Sequence, residues 1–433
     1  MRAGHALDTR SVLLVMLVAT GLRLAAALAQ GAFMSAPTGD ERLFDPIARH
    51  LAAGEGYSID AIHATAIRPP VYPTVLAAVY AVTGGSQVAG RLVNVFIGGS
   101  IVALVVLVAT GYFGRTAGLL AGAVAALYPP WIEQSSKLLS DSLYLWLVLI
   151  LLLQLQRADA EPENRRRWLV AGLVLGACIL TRSEAVLLIA ILPLGVLLAS
   201  GWRGWGQRAA MGLALPALLL VTPWVLRNRA AIGSPVLASN LGQALWGVYQ
   251  PQNFGDDDLL GTWTSPEPPV WNSGQYAPGS RRDEGTYLPE REYNRVLVGL
   301  AVEAARGHAR QLPRMMLAKV NRFFLSRGHV ENLFRFVILY CFLFGELLVL
   351  VAAWRSTWAL QGIFLANLLV GILVYADERL RMPADLVLIV VGSYGFLRQV
   401  RLLREQRRHI RPVEQGPGPG DRDADVVAAE ARA

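Results

Sequence analysis

Apolar runs long enough to cross a bilayer, parted by short arginine-rich connections, recur along the whole chain. They fall at 11–29, 90–110, 116–128, 138–155, 168–180, 185–200, 209–226, 333–353, 357–375 and 384–396. A helix needs about 20 mostly apolar residues to cross the hydrocarbon core. The third and fifth runs are short alone and need their flanks to span. A soluble domain has no reason to repeat this pattern, so the chain is expected to be an all-α polytopic membrane protein with about ten transmembrane helices. The first run follows Arg2 and Arg10 and ends Ala27-Leu28-Ala29, which imitates a cleavable leader. It exceeds the usual length of such a core and is read as an uncleaved span.

Two polar segments stand apart from the short loops, about 31–89 and 227–331, and the threading puts both on one side. The first opens with Asp40-Glu41. Leu43, Phe44, Ile47, Ala48 and Leu51 then share one helical face, ended by Gly54 and Gly56. Asp45-Pro46 is an alternative start, as N-cap and first-turn proline. Such an amphipathic helix between spans is expected in the interface plane. After Arg68-Pro69-Pro70 the stretch 74–82 is too short to span and reads as a re-entrant or interfacial helix. The second segment carries Trp246, Trp263 and Trp271, with Trp224 just before it, suited to the membrane boundary. Its later part, with Met315, Met316 and Leu317 among arginines, reads as surface helices on lipid headgroups. Gly118-x-x-x-Gly122 and Gly172-x-x-x-Gly176 read as close-packing sites between helices.

Composition agrees, with 54% hydrophobic and 17% charged among 433 residues. The net charge of +8 would admit a nucleic-acid partner, but its placement argues against one. With the N-terminus inside, Arg115, Arg157, Arg165, Arg166, Arg167, Arg203, Arg208, Arg355 and the group from Arg398 to Arg408 all fall on the cytoplasmic side. The basic balance therefore describes orientation in a cytoplasmic (inner) membrane, with both termini cytoplasmic. Residues 1–397 form one membrane domain, and 398–433 a basic, then disordered, tail. Cys178 and Cys341 lie inside apolar runs and read as buried small hydrophobes. The Asp256-Asp257-Asp258 run lacks the alternation of a calcium loop and reads as solvated.

The chemistry-bearing residues collect at the outer boundary: Asp40 and Glu41, Arg68, Lys137 and Asp141, Arg182 and Glu184, Arg227, and the Arg379-x-Arg381 pair. Arg23, in the outer half of the first span, is expected to snorkel toward the same layer. Each charge alone could be a helix anchor. Together, acids and cations beside hydrocarbon mark a substrate path. Guanidinium groups suit a phosphate, and a carboxylate beside them can take a proton from a hydroxyl. A lipid-linked sugar phosphate calls for that combination. No His/Cys/carboxylate spacing argues for a dedicated metal.

The order of motifs resembles the GT-C class of membrane glycosyltransferases, within the protein O-mannosyltransferase and lipid A aminoarabinose transferase superfamily. The resemblance runs from Arg23 to Pro383. It is carried by Gly39-Asp40-Glu41-x-x-Phe44 with Ala48-x-x-Leu51-x-x-Gly54-x-Gly56-Tyr57, by Arg68-Pro69-Pro70-x-Tyr72-Pro73, and by Leu139-Ser140-Asp141-Ser142-Leu143. Leu180-Thr181-Arg182, Pro223-Trp224-x-x-Arg227-Asn228 and Arg379-x-Arg381-x-Pro383 complete it. It implies a GT-C fold, a polyprenyl-monophosphate sugar donor and inversion at the anomeric carbon. It further implies Asp40 as general base, Glu41 orienting Asp40 or the acceptor, and Asp141 as a second acidic motif. The leaving phosphate would meet Arg68, Arg182, Arg227 or Arg381, with Lys137 either serving phosphate or anchoring. Some related transferases use a divalent cation held by paired acids such as Asp40 and Asp141, and that possibility stays open. Asp at 141 where Glu is commoner, Ser183 where proline is frequent, and Pro46 inside the surface helix depart from the pattern. The acceptor, whether protein, lipid or glycan, is not specified. Rival readings are a lipid-linked sugar transporter or flippase, which would want mid-membrane charges and repeated halves, and a scaffold in which Asp40-Glu41 only caps a helix.

Overall fold

A computed structural model describes residues 9–265, 289–324, 329–375, 377 and 379–410. Trp271, Glu378 and the tail after 410 lie outside them. Each of the ten apolar runs is helical. They are α1 (Thr9–Ala29), α4 (Gln87–Phe113), α5 (Arg115–Leu127), α7 (Asp141–Ala160), α8 (Arg165–Ile179), α9 (Leu188–Ser200), α10 (Gly204–Ile232), α15 (His329–Ala352), α16 (Trp354–Leu373) and α17 (Met382–Ile410). Among the described residues, seven helical stretches are long and apolar enough to cross a membrane on their own, α9 counting with the turn before it as Ser183–Ser200. Arg115–Leu127 and Val337–Ala352 are shorter apolar helices.

Between the spans lie α2 (Glu41–Ala52), α3 (Val71–Thr83), α6 (Pro129–Gln134), α11 (Leu241–Tyr249), α12 (Pro251–Gly255), α13 (Glu290–Gly307) and α14 (Leu312–Phe324). One continuous core runs through the bundle, with Val105, Leu145, Val148, Leu152, Leu175, Leu192, Leu213 and Val387 all inaccessible or nearly so. Leucines and valines such as Leu14, Leu17 and Val18 on α1 and Leu215, Leu218 and Leu219 on α10 stay outward, as lipid-facing side chains should.

Glycine decides where the helices touch. A Cβ at Gly172 would strike the backbone of Gly212 and Leu213, and one at Gly176 would press on Ala217, so α8 lies directly on α10. Gly118 and Gly122 do the same for α5 against Thr110 and Val106 of α4. A third crossing, Gly345 of α15 against Gly395 of α17, carries no GxxxG spacing and was not anticipated.

Helix α2 begins at Glu41 rather than at Asp45, with Pro46 inside it. Both of its apolar sides are covered by protein. Phe44 and Ala48 meet Tyr72, Leu76 and Tyr80 around α3, and Leu43 and Ile47 meet Tyr57, Ile67, Tyr293 and Leu297. The second long segment thus folds back over the first.

Arg23 does not snorkel outward. It is 1% exposed, and its guanidinium donates to the Ala19 carbonyl at 3.3 Å and the Ala125 carbonyl at 3.2 Å. The Ala125 carbonyl lies in the last turn of α5, where carbonyls lack helical partners and the helix dipole favours a cation.

Lys319 on α14 is fully buried. Its ammonium donates to Tyr249 Oη at 3.0 Å and the Ile372 carbonyl at 3.3 Å, and among the described residues no carboxylate pairs with it. Burial pulls its pKa down to about 7. An unfolded lysine stays protonated to about pH 10.4, so between these values the unfolded chain holds the extra proton and stability rises with pH. Lys319→Met is expected to flatten the rise in unfolding midpoint between about pH 7 and 10, read from thermal unfolding of the detergent-solubilised protein. A rise as steep as wild type would place the titration elsewhere.

Candidate active site

Six charged side chains from five separate parts of the chain form one alternating row. Arg68 Nη2 donates to Asp40 Oδ1 at 2.6 Å, and Arg379 Nη1 donates to Asp40 Oδ2 at 3.0 Å. Arg379 Nη2 also reaches Asp141 Oδ2 at 3.1 Å. Arg182 then pairs with Asp141 on one side and with Glu184 on the other. The order is Arg68, Asp40, Arg379, Asp141, Arg182, Glu184, three cations alternating with three acids.

Local structure explains how each arrives. Gly39 takes a left-handed φ of 49° that a side chain would disfavour, and this turn presents Asp40 at the start of α2. Although Asp40 occupies the N-cap position of α2, its side chain makes no capping bond, because both oxygens are spent on arginines. Tyr57 Oη donates to the Arg68 carbonyl at 2.8 Å, and the Arg68 guanidinium lies 5.8 Å from the Phe44 ring centre. The Val71 amide donates to the Leu180 carbonyl at 3.0 Å, which draws the start of α3, and so Arg68, to the end of α8 that leads into Arg182. Asp141 opens α7, where an acid also suits the helix dipole.

The row forms part of the wall of a cavity of about 740 Å³. Asp40, Arg68, Arg182, Glu184, Asp377 and Arg379 line it, with Val186, Leu187, Leu241, Val370 and Leu373 supplying apolar wall. A cavity lined by both charged and apolar side chains suits an amphiphile. Burial works to raise the pKa of Asp40, but Arg68 and Arg379 outweigh it and hold the carboxyl well below the usual carboxylate range. Burial acts against the charge on Arg379, and Asp141 and Asp40 more than restore it.

Asp40, Arg68, Arg182 and Asp141 are brought together; four other candidates are not. Glu41 is 3% exposed and faces away from the cavity. One oxygen accepts from Arg91 at 2.9 Å and the Leu138 amide at 2.8 Å, the other from the Thr38 amide at 2.9 Å. With both oxygens occupied it ties the segment around Thr38 to α4 and to the loop before α7. Arg227 donates to the carbonyls of Thr65 at 2.5 Å and Tyr57 at 3.3 Å and lies over the Tyr57 and Trp224 rings, so it braces the loop that leads to Arg68. Arg381 is buried on Asp385 at 3.0 Å and on the Phe323 carbonyl at 2.8 Å, which closes the end of α14. Lys137 pairs with Glu133 at 2.6 Å on a partly exposed surface.

Two residues shape the geometry beyond the roles expected from sequence. Arg379, named there only as half of the Arg379-x-Arg381 pair, takes the place expected for Arg381; neighbours two apart in a turn point differently, and no spacing chooses between them. Arg91, the second residue of an apolar run, looks like an anchor, although a charge there needs a buried partner. Arg379 also stands between Asp40 and Asp141, bonded to both, so that pair does not fit a divalent cation in this arrangement. Among the described residues, no three His, Cys, Asp or Glu side chains converge as metal ligands.

Residues 67–226 match the family model described as dolichyl-phosphate-mannose-protein mannosyltransferase. That stretch holds Arg68, Asp141 and Arg182 and leaves Asp40 and Arg379 outside. Among curated proteins no sequence matches the chain. Among solved structures, the chain is similar to ArnT from Cupriavidus metallidurans bound to undecaprenyl phosphate, at 18% identity and a TM-score of 0.45, covering 90% of this chain and 78% of that one. The apo state of the same enzyme aligns at 17% identity and a TM-score of 0.39, covering 86% and 76%. Residues 67–226 are thus similar to the dolichyl-phosphate-mannose-protein mannosyltransferases, within a chain whose apolar helices make it a multi-pass membrane protein.

Proposed function

We propose that the protein transfers a sugar from a polyprenyl-phosphate donor to an acceptor hydroxyl, at the outer face of a cytoplasmic membrane. The observation that carries this reading is the alternating row of arginines and carboxylates on the wall of a cavity that is otherwise largely apolar. The apolar wall suits the first units of a polyprenyl chain, and the guanidiniums suit its phosphate. In the reaction the acceptor O–H gives its proton to Asp40, and the hydroxyl oxygen forms a bond to the anomeric carbon. The bond from that carbon to the phosphate oxygen breaks, and its electron pair leaves with the phosphate toward Arg68, Arg182 and Arg379.

Asp40 held by two arginines is fully ionised but a weak base. The row carries no net charge, so an arriving phosphate must compete with the carboxylates for the same guanidiniums. Each hydrogen bond it draws away from Asp40 restores basicity there. Donor binding and base activation are thereby one event.

Arg379→Gln tests this coupling. Losing a cation beside Asp40 is expected to raise its pKa by about 1–3 units. The acid limb of kcat/KM, which reports the free enzyme, should move upward in pH by that amount. An unmoved limb would assign the titration to another group.

The overall reading is tested by incubating the purified protein in lipid with radiolabelled polyprenyl-phosphate sugars, candidate acceptors and divalent cations. Release of label from one carrier is expected, and it names the donor. Movement of an intact lipid-linked sugar across the bilayer without its cleavage would establish the flippase reading instead. The scaffold reading, in which the acidic pair only caps α2, is disfavoured because Asp40 makes no side-chain capping bond.

A further inference from the structure

Part of the same cavity wall is polar without being charged. Asn240 and Gln243 line the cavity, three residues apart and so on one face at the start of α11. Asn240 is the N-cap of α11, a position where asparagine ordinarily spends its side chain on the helix. Here it makes no capping bond. Among the described residues neither side-chain amide has a hydrogen-bond partner, so all their donors and acceptors remain available.

Beside them lies Trp263, which also lines the cavity. Its Nε1 donates to the Gln243 carbonyl at 3.2 Å, which docks the indole on α11. The indole rests against Gly247, and a Cβ there would collide with the ring, so only glycine lets it lie this close. The start of α11 is also tied to the arginine row. The Ser239 amide donates to the Ala66 carbonyl at 2.9 Å, two residues before Arg68. Glu290 accepts from the Ala66 amide at 2.8 Å and from Thr65 Oγ1 at 2.7 Å, and it also bonds the Ser239 hydroxyl. A group held at the phosphate-binding arginines therefore has the α11 wall within the same enclosure.

We propose that Asn240, Gln243 and Trp263 form the carbohydrate-reading wall of the cavity, taking the hydroxyls and the C–H face of a neutral pyranose. This rests on the reading of the cavity as a lipid-linked-sugar site and adds where the sugar is recognised. An amide offers two donor hydrogens and an acceptor oxygen, so it meets a hydroxyl in either sense. An indole provides a flat apolar face of the size of a sugar ring. The three residues bring no charge, so discrimination between sugars comes from hydroxyl positions. A site built to hydrogen-bond a hydroxyl penalises the ligand that lacks it far more than an apolar site would.

The test uses the full-length protein in lipid nanodiscs and methyl glycosides of mannose, glucose, galactose and arabinose, with saturation-transfer NMR as the readout. Wild type is expected to saturate at least one glycoside. Gln243→Leu and Asn240→Ala should each weaken that binding at least about tenfold, about one hydrogen bond's worth. Binding of a polyprenyl phosphate without sugar should remain unchanged, which shows that the variants are folded. No saturation of any glycoside by wild type, or equal binding by the variants, overturns the proposal. If these variants lose the carrier as well, the uncharged, size-conserving Gln243→Met and Asn240→Leu decide. Loss of both ligands in step there makes these residues structural and also overturns it. The glycoside measurement needs neither carrier nor turnover, so a failed donor panel would remove the transferase reading without answering this one.

Discussion

Asp40→Asn is expected to cut turnover by about 100- to 10,000-fold, the range for removing a general base, while fold and carrier binding survive. Asparagine matches aspartate in size and its carbonyl oxygen still accepts, so one of Arg68 and Arg379 keeps its partner at the start of α2 while the other turns to Asp141 or the arriving phosphate. It cannot take the acceptor's proton. It also removes the negative charge that occupies both arginines, so affinity for the phosphate should hold or improve. Loss of kcat with an unchanged or lower KM is therefore the signature, read from single-turnover transfer of labelled sugar. A variant with wild-type turnover would remove Asp40 from the chemistry. A variant that loses carrier binding along with turnover would make it a positioning residue for the arginines.

Glu41→Gln, one residue along, is expected to do something different: destabilise the protein by about 3–5 kcal/mol, the cost of stripping one partner from a buried ion pair. Arg91 is 2% exposed and would be left without the carboxylate that neutralises it, its remaining hydrogen bonds going to the carbonyls of Ser136 at 3.0 Å and Ser35 at 3.3 Å. The Leu138 and Thr38 amides would compete for a single carbonyl oxygen. The measurement is the unfolding midpoint in mild detergent. The double variant Glu41→Gln with Arg91→Met should recover part of the loss, because no buried charge then lacks its partner. A Glu41→Gln protein with wild-type stability and no turnover would return Glu41 to the reacting centre.

The contrast between these adjacent acids shows how far the residues could be read unaided. The dipeptide Asp40-Glu41 signals an important acidic site, yet nothing in it says which carboxylate faces the cavity. That depends on the first turn of α2, which points successive side chains about 100° apart, and on where Arg91 and Arg379 arrive from 50 and 339 residues away. The same limit applies to the arginines. Arg68 and Arg182 could be picked from their motifs, whereas Arg227 and Arg381 differ from them only in what the tertiary structure places beside them. Arg227 is consumed by backbone carbonyls that brace a loop, and Arg381 by Asp385 and the Phe323 carbonyl that closes a helix.

What the sequence determined by itself is the helical, membrane-spanning architecture, because hydrophobic run length and arginine placement act locally and each span can be read on its own. That α8 packs closely on a neighbour was legible for the same reason, since Gly172-x-x-x-Gly176 puts two small residues on one helical face; that the neighbour is α10 came from the structure. Only the tertiary structure decided which charges meet. An ion pair between distant segments leaves no periodic trace in either, and the polarity of a residue states the need for a partner without naming it. The row from Arg68 to Glu184 exists because five chain segments end at one level of the bundle, and that convergence is a property of packing.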